Sequence, residues 1–448
     1  MIGRLIAGCT ALSLLTVQLP GCGLTANVES MLSPPRLTVE QEQIYQALQI
    51  AYGSQISLKY PKSGDRLSAF IFEDLDGDSF DEAVVFYEMS GSTAEENPLR
   101  ICLLDQKDGV WDAVSNAAAA GAEIDRVDIE RLGSNSRMNL IISYSMVDGA
   151  EHAVQVFHYE DQLIENRRET YSAMVLRDLD MDGTTELFVA SAAKASSPAT
   201  ADVYALDENG TYHHFSRELH STMTDISRIV YGELPTGTGR DTIPAIYLDG
   251  GTGATTVQTV VLTYREHQLS LLYADNAERF PKTERAGGYQ TMDIDDDSEA
   301  EIPVNMAFYG YSNALDSSPL VMTNWYVCRN GLLMREYSSY YSSQNSFVFL
   351  MPKRWERCVT AVQENEEIVF YTFTVDAMQE NPEPILLKPL LRLAVVPDPI
   401  EADAMQSEGY LLLRQQNSRY YLGKIEQDTP RSLRLTPSEL LVSMRFLQ

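Results

Sequence analysis

The amino-acid sequence predicts a mainly β fold built from a repeated unit, with a small α+β domain at its C-terminal end. Three observations support this prediction. An acidic loop followed by a short apolar strand occurs three times, beginning at residues 74, 178 and 293. Two weaker copies of the loop lie between them, so that the five copies are 47 to 60 residues apart. The loop motif is absent after about residue 342, where strands and turns follow a different pattern.

Before the repeats, residues 22–54 are predicted to form a tether and one short helix. Thr38 suits the N-cap of this helix, and Gln41 completes a capping box. Gly53 suits the left-handed residue that ends a helix. Apolar residues fall at positions i, i+3, i+4 and i+7 from Ile44, so one face of the helix is expected to pack against the domain that follows.

The three acidic loops carry carboxylates at their first, third, fifth and ninth positions, a spacing that suits a hard cation such as Ca²⁺. We name residues 74–82 loop one, residues 178–186 loop two and residues 293–301 loop three. The candidate ligands are Asp74, Asp76, Asp78, Glu82, Asp178, Asp180, Asp182, Glu186, Asp293, Asp295, Asp297 and Glu301. Each loop runs directly into a β-branched or aromatic segment that is typical of a strand.

These loops differ from an EF-hand, which closes with a bidentate Glu at its twelfth position between two helices. The twelfth position here is Val85, Val189 or Val304, each within a predicted strand. The loops instead resemble the FG-GAP/VCBS-type repeats of integrin-like β-propellers, in which the loop joins the first two strands of a blade and its ninth-position acid is a Ca²⁺ ligand. The alternative is that they are polar turns, which favour Asp and Gly. This alternative applies most to loop three, which has no Gly and whose strand Pro303 interrupts.

The resemblance implies a β-propeller of about five to seven blades over residues 55–341, because one four-stranded blade with its turns occupies about fifty residues. Two to three structural Ca²⁺ ions are expected. The weaker copies of the loop begin at Arg131 and Glu233. The first keeps its strand but has Asn139 in place of the ninth acid, so its blade is expected to fold without metal.

Residues 342–448 are predicted to form the small α+β domain. A hairpin is expected around Asn417-Ser418, and a final helix is expected after the N-cap Thr436, with Glu439 completing a capping box. Further strands are expected at residues 347–351, 368–375 and 391–396. The alternative is that these strands form the missing blades of the propeller.

The chain has 34 basic and 64 acidic side chains and a formal net charge of −30. A protein that binds nucleic acid presents a basic surface, so this charge argues against nucleic acid as a partner and against direct adhesion to anionic lipid. At the N-terminus, a basic start precedes an apolar segment over residues 5–17, as in an export signal. Residues 19–22 (LPGC) resemble a bacterial lipobox, which implies that residues 1–21 are a signal peptide and that lipidated Cys22 anchors the chain. An ordinary cleaved signal peptide is the alternative.

The sequence contains no motif that indicates catalysis. The six histidines form no HExxH, and the adjacent His213 and His214 would point to opposite faces of a strand. Residues 249–253 (DGGTG) have no Gly-Lys-Ser/Thr sequence for binding phosphate, and a turn is expected there. Apart from the two N-terminal cysteines, Cys102, Cys328 and Cys358 lack the spacing of a disulfide framework or a zinc site and are expected to be small apolar residues.

These observations predict a non-enzymatic lipoprotein on the extracytoplasmic face of a bacterial membrane. Its calcium-stabilised propeller would bind a protein or glycan partner. One alternative is a propeller-fold hydrolase or lyase that acts on glycan or peptide, for which a His/Asp cluster or convergent carboxylates away from the acidic loops would be the sign. Another alternative is an assembly factor whose C-terminal domain binds the partner while the propeller is a spacer.

Overall fold

The computed structural model describes residues 37–90, 97–147, 151–219, 223–235, 242–276, 278, 281–312, 315–376 and 383–447. The predicted signal peptide and Cys22 lie outside these residues. The described chain is mainly β and forms six antiparallel sheets, which confirms the predicted class. No helix among the described residues is long and apolar enough to cross a membrane.

The first three sheets use strands in the order in which they occur along the chain, except that β2 pairs with β3 beside β1. The first sheet contains β1 (Ile56–Leu58), β2 (Phe70–Glu73), β3 (Glu82–Met89), β4 (Leu99–Lys107) and β5 (Val110–Ala118). The second contains β6 (Glu123–Glu130), β7 (Asn139–Ser145), β8 (His152–Tyr159) and β9 (Leu163–Tyr171). The third contains β10 (Ala173–Arg177), β11 (Glu186–Ser191), β12 (Thr200–Leu206) and β13 (Tyr212–Glu218).

The last three sheets each add a strand outside this simple order. The fourth contains β14 (Arg228–Pro235), β15 (Thr242–Gly251), β16 (Thr256–Arg265), β17 (Gln268–Tyr273) and β18 (Arg285–Ala286), which pairs with β16. The fifth contains β19 (Ile302–Ala307), β20 (Val321–Arg329), β21 (Leu332–Ser342), β22 (Phe347–Leu350) and the C-terminal β28 (Met444–Phe446). The sixth contains β23 (Val359–Glu364), β24 (Glu367–Thr374), β25 (Ile385–Val396), β26 (Leu411–Gln416) and β27 (Arg419–Ile425) in the order 23-24-25-27-26.

An apolar cluster lies between each pair of successive sheets. Alternate residues of one strand enter different clusters: Phe188 of β11 packs toward the fourth sheet, whereas Leu187 and Val189 pack toward the second. This use of both faces explains the continuous apolar runs that follow the acidic loops, since neither face of these strands is solvated. Each fully buried side chain of this kind contributes roughly 1.5–3 kcal/mol relative to an exposed one.

Helices cover the outer faces of the two terminal sheets. Helix α1 (Val39–Tyr52) places Ile44 and Leu48 against Val85 and Tyr87 of the first sheet. Helix α2 (Pro399–Ser407) places Ala402 in a cluster with residues of the sixth sheet. None of the apolar clusters formed by the described residues joins the first sheet to the sixth.

The predicted capping boxes are confirmed at both ends of the chain. Thr38 and Gln41 form the capping box of α1. Gly53 ends the helix with a positive φ of 93°, but its ψ of 170° is extended rather than left-handed helical, which corrects the predicted conformation. Thr436 and Glu439 form the capping box of helix α3 (Pro437–Ser443). These boxes satisfy backbone N–H groups that the first turn of a helix leaves without a partner.

The boundary predicted between residues 341 and 342 falls inside the fifth sheet. Strand β21 spans it and pairs with β22, which in turn pairs with the C-terminal β28. Phe349 of the fifth sheet also shares one core with Trp355 and with Phe370 of the sixth. The predicted strands and the hairpin at Asn417-Ser418 are present, but β23, α2 and β28 had not been anticipated.

Two local predictions need correction. The turn predicted over residues 249–253 starts later than expected: residues 249–251 are the end of β15, and only residues 252–253 lie in the connection to β16. Glycine is needed there because a Cβ on Gly250 would lie 2.8 Å from the backbone oxygen of Asp225 and closer still to Met223. Pro303 does not interrupt its strand either: it lies within β19, an edge strand, where a missing N–H is tolerated.

Cys102, Cys328 and Cys358 form no disulfide with one another in the described chain. Cys102 and Cys328 are fully buried, whereas Cys358 is only half-buried.

Candidate metal sites

The acidic loops occupy equivalent places in three sheets. Loop one joins β2 to β3, and loop two joins β10 to β11, so each connects the first paired strands of a hairpin. Loop three runs from the isolated bridge between Met292 and Glu301 into β19. In all three loops the ninth-position Glu is buried, with Glu82, Glu186 and Glu301 at most 2% exposed.

Similar hydrogen bonds shape the three loops. The first-position carboxylate accepts bonds from two backbone amides further along the loop: Asp74 from Gly77 and Ser79, Asp178 from Asp182 and Gly183, and Asp293 from Asp297 and Ser298. The ninth-position Glu accepts from the second-position amide, at 2.7 Å for Leu75, 2.9 Å for Leu179 and 2.8 Å for Ile294. The ninth-position bond is the same in all three loops, whereas the first-position carboxylate accepts from the fourth and sixth amides in loop one and from the fifth and sixth amides in loops two and three.

The loop backbones agree as well. The fourth and sixth positions are left-handed in each loop, with φ values of 86° and 76° in loop one, 61° and 90° in loop two, and 65° and 76° in loop three. Loop three reaches this conformation without glycine, because Asp296 and Ser298 occupy these positions. Asp adopts left-handed geometry at a lower cost than most residues, so the absence of glycine does not change the loop.

Carboxylate oxygens converge in each loop. One oxygen from each of three residues lies within 4.8 Å of the others in the groups Asp74, Asp76 and Asp78; Asp178, Asp180 and Glu186; and Asp293, Asp295 and Asp297. Three oxygens in loops two and three are buried without a hydrogen-bond partner among the described residues: Asp180 Oδ1, Asp295 Oδ1 and Glu301 Oε1. A buried acceptor without a partner is costly, and a cation would satisfy all three.

The pKa values of the ninth-position glutamates also indicate that the charged loops are unfavourable without a cation. Burial, together with the charge of the neighbouring aspartates, raises the pKa of Glu82 and of Glu186 to about 7, and that of Glu301 to about 9. The charged loops are therefore unfavourable on their own, and a hard divalent cation with oxygen ligands fits them. Loop three has an additional neighbour, since the Tyr337 hydroxyl donates to Asp295 Oδ2 at 2.6 Å.

The two weaker copies of the loop differ in structure from the three acidic loops. In the first, Gly133 has a φ of 58°, and β7 begins at Asn139 as predicted. The Asn139 side chain donates to the backbone oxygens of Glu130 and Arg137 at 3.3 and 3.2 Å, so an amide closes this loop where the other loops use a carboxylate. The second copy connects β14 and β15, but residues 236–241 lie outside the described residues.

The sequence did not predict a polar cavity of about 460 Å³ between the second and third sheets, which we name the inter-sheet cavity. His152 Nδ1 lies 2.9 Å from Asp125 Oδ2, and the Ser145 hydroxyl donates to the other oxygen of Asp125. The Tyr171 ring stacks on His152 with a centroid distance of 5.4 Å. Asp128 Oδ2 is buried here without a hydrogen-bond partner in the described chain. These residues come from the four strands of the second sheet, so no local spacing marks them.

The adjacent histidines do not form a pair. His213 Nε2 lies 3.2 Å from Asp207 Oδ2, and His214 Nε2 lies 2.8 Å from Asp202 Oδ1, on the two faces of β13. Strand β21 contains three tyrosines within residues 337–341 (YSSYY), two of which are structural: Tyr340 packs in the core between the fifth and sixth sheets, and Tyr341 stacks on Trp325.

Comparison with known proteins adds little. No protein-family model and no curated protein matches the chain. Similar solved structures include a hypothetical selenium-binding protein from Sulfolobus tokodaii (11% identity, 47% of this chain and 55% of that chain). They also include a periplasmic gluconolactonase from Pseudomonas aeruginosa (10% identity, 75% and 95%) and an exo-β-1,3-galactanase from Phanerochaete chrysosporium (9% identity, 76% and 79%). The TM-score is 0.24 in each case, too low to support any inference about this chain.

Proposed function

We propose that this protein is a calcium-stabilised, propeller-type binding module of the FG-GAP/VCBS kind. It acts without catalysis, is held by lipid at Cys22 on the extracytoplasmic face of a bacterial membrane, and binds a protein or glycan. The observation that carries the proposal is the convergence of carboxylates in the three acidic loops, together with the buried carboxylate oxygens of loops two and three that have no partner in the described chain.

Calcium suits these loops better than magnesium. Ca²⁺ accepts six to eight oxygen ligands in flexible geometry, whereas Mg²⁺ demands a near-ideal octahedron and retains several waters. Each loop offers four carboxylates from a short, irregular segment, and the ninth-position Glu is fixed at the base of the loop by a backbone amide. The metal's role would be to hold these like charges together.

The propeller part of the proposal is supported by the sheet pattern. Four or five antiparallel strands make up each sheet, successive sheets pack face to face, and loops one and two join the first strands of a hairpin. We do not propose that the six sheets close into a ring, because helices cover the outer faces of the first and sixth sheets.

Calorimetric titration of residues 36–448 with Ca²⁺ tests the proposal. Two or three sites are expected in the wild type, with fewer in an Asp76→Ala/Asp180→Ala variant. A matched Asp161→Ala/Glu208→Ala variant, which removes exposed acids outside the loops, should bind like the wild type. Ca²⁺ should also raise the melting temperature relative to EDTA, since a ligand that binds only the folded state stabilises it. Identical melting curves in Ca²⁺ and EDTA would contradict the proposal.

The membrane anchor is tested separately. Mass spectrometry of the protein from a bacterial host should show an acylated N-terminal Cys22, and a Cys22→Ser variant should appear in the soluble extracytoplasmic fraction. An unmodified mature N-terminus at another residue would instead indicate an ordinary signal peptide.

The inter-sheet cavity favours a second candidate function, a hydrolase or lyase acting on glycan or peptide. Asp125 Oδ2 accepts a hydrogen bond from Nδ1–H of His152, so Nε2 is the ring nitrogen that is left to act as a base. The described chain shows no hydrogen bond to Nε2. None of the twelve loop carboxylates lines this cavity. Turnover of glycan or peptide substrates that disappears in His152→Ala, but persists in a variant of exposed His214, would establish it.

A further inference from the structure

A second cavity, of about 290 Å³, opens directly above loop two; we name it the loop-two cavity. Its floor contains three of the four loop carboxylates, and its wall is aromatic: the lining includes Asp180, Asp182, Glu186, Phe215, Tyr264 and His267. The cavity is near the lower end of the size range of small-ligand pockets. It would accommodate one small ring rather than a peptide segment.

The aromatic wall is a connected set of rings. Phe215 is half-buried on β13, an edge strand whose other side chains are mostly exposed. Its ring stacks on His267 with a centroid distance of 5.8 Å and an interplanar angle of 20°, and it lies 5.6 Å from the ring of Tyr264. The Tyr264 hydroxyl is 3.4 Å from His267 Nδ1, which fixes the end of the wall beside the loop.

The floor has an unsatisfied ligand atom. Asp180 Oδ1 is buried and has no hydrogen-bond partner in the described chain, although Asp180 lines the cavity. Ca²⁺ takes six to eight oxygens. Four carboxylates that each give one oxygen leave coordination positions open, and three of these carboxylates border the cavity. A cation in loop two would therefore be accessible from this side.

From this geometry we propose that the loop-two cation is a ligand-binding centre, at which a neutral sugar binds through two adjacent hydroxyl groups while its apolar face packs on Phe215. This inference rests on the proposed function, since it requires an occupied loop two. It adds the location of the binding site and the class of ligand.

Charge selects a neutral ligand over an anionic one. Asp207 also borders the cavity, so four carboxylates line it, and Asp178 contributes a fifth negative group to the loop. One divalent cation does not neutralise this set, so a carboxylate or phosphate ligand would be repelled. Hydroxyl oxygens coordinate Ca²⁺ without adding charge, and a ring provides an apolar face for the aromatic wall.

The test uses Ca²⁺-loaded protein titrated calorimetrically with the methyl glycosides of mannose, glucose, galactose and fucose at millimolar concentration. At least one glycoside should bind saturably, and EDTA should abolish its binding. Phe215→Ala and His267→Ala should each weaken it by about tenfold with unchanged Ca²⁺ stoichiometry, so that loss of folding is excluded. Tyr60→Ala, which removes an exposed aromatic ring outside the three acidic loops, is the matched control and should have no effect.

Terbium luminescence gives an independent measurement. Tb³⁺ in loop two should be sensitised by Tyr264, and the comparison of lifetimes in H₂O and D₂O should show fewer coordinated waters when the glycoside is present. If Ca²⁺ binds loop two but no glycoside binds, the inference is overturned and the proposed function stands. Glycoside binding that persists in EDTA overturns the metal-bridged site. Absence of any Ca²⁺ binding overturns the proposed function itself.

Discussion

Replacing Glu186 with Gln should stabilise the metal-free protein while weakening cation binding at loop two. Glu186 is 2% exposed, and its Oε2 accepts a hydrogen bond from the Leu179 amide at 2.9 Å. Burial, together with the charge of the Asp180 carboxylate, raises the pKa of this carboxyl to about 7. Gln keeps an oxygen for Leu179 and carries no charge, so it imitates the protonated side chain at every pH.

The magnitude follows from the difference in pKa between the two states. The unfolded chain loses this proton near pH 4.5, whereas the folded, metal-free protein keeps it until about pH 7. The free energy of unfolding therefore falls as the pH rises between these values and stays low above them. At about 1.4 kcal/mol per pKa unit, the loss is about 3 kcal/mol, which E186Q should recover in EDTA at about pH 8.5. Saturating Ca²⁺ should close the gap, because a site at about a hundred times its Kd adds ~2.7 kcal/mol to the wild type alone.

Urea unfolding followed by tryptophan fluorescence measures these differences, since Trp325 and Trp355 are fully buried. Wild type, E186Q and the exposed-site control Glu208→Gln should be compared in EDTA and in Ca²⁺, at about pH 5 and about pH 8.5. The advantage of E186Q in EDTA should grow with pH, and the control should show none. An E186Q variant that is less stable than wild type in EDTA at both pH values would refute the argument that the buried charge opposes folding.

Three further predictions concern the backbone and core. Asp249→Ala should lower the free energy of unfolding in urea by about 3–5 kcal/mol, because it leaves the fully buried Arg285 guanidinium, 2.9 Å from Asp249 Oδ1, without its carboxylate; a loss under ~1 kcal/mol would contradict this. Ser79→Gly should stabilise the Ca²⁺-loaded protein by about 1 kcal/mol in thermal melts, because Ser79 has a φ of 76°; an unchanged melting temperature would count against it. Gly250→Ala should cost about 1–3 kcal/mol in the same melts, because its Cβ would meet the Asp225 backbone, and a neutral result would show that this segment moves freely.

The parts of the fold that local chemistry determines could be predicted from the sequence. The capping boxes at Thr38 and Thr436, and the hairpin at Asn417-Ser418, each depend on residues a few positions apart. The same holds for the acidic loops, whose ligand spacing, ninth-position Glu and following strand are contiguous in the chain. The identity of the cation and the function of the cavities do not follow from such spacing.

Features that depend on distant residues could not be predicted. The inter-sheet cavity brings Asp125 to His152 from two strands that are not neighbours in their sheet, and Tyr171 completes it from the end of a third. The three-residue strand β28 pairs with β22 of the fifth sheet, although all strands of the sixth sheet lie between the two in sequence. No local pattern therefore indicates the partner of β28. The end of the loop motif predicts a domain boundary at 342, whereas β21, which spans this position, pairs with β22 beyond it.

Helices cover the outer faces of the first and sixth sheets, and this arrangement bears on how many blades the fold contains. A sheet that buries both faces needs a neighbour on each side, so a series of sheets must either close into a ring or cover its two ends. Here α1 packs Ile44 and Leu48 on the first sheet, and α2 packs Ala402 on the sixth. Capping elements of this kind are what repeat proteins use to end an open array. The five loop copies therefore need no missing blades to account for the fold, since the sixth sheet follows the last copy and a helix covers its outer face.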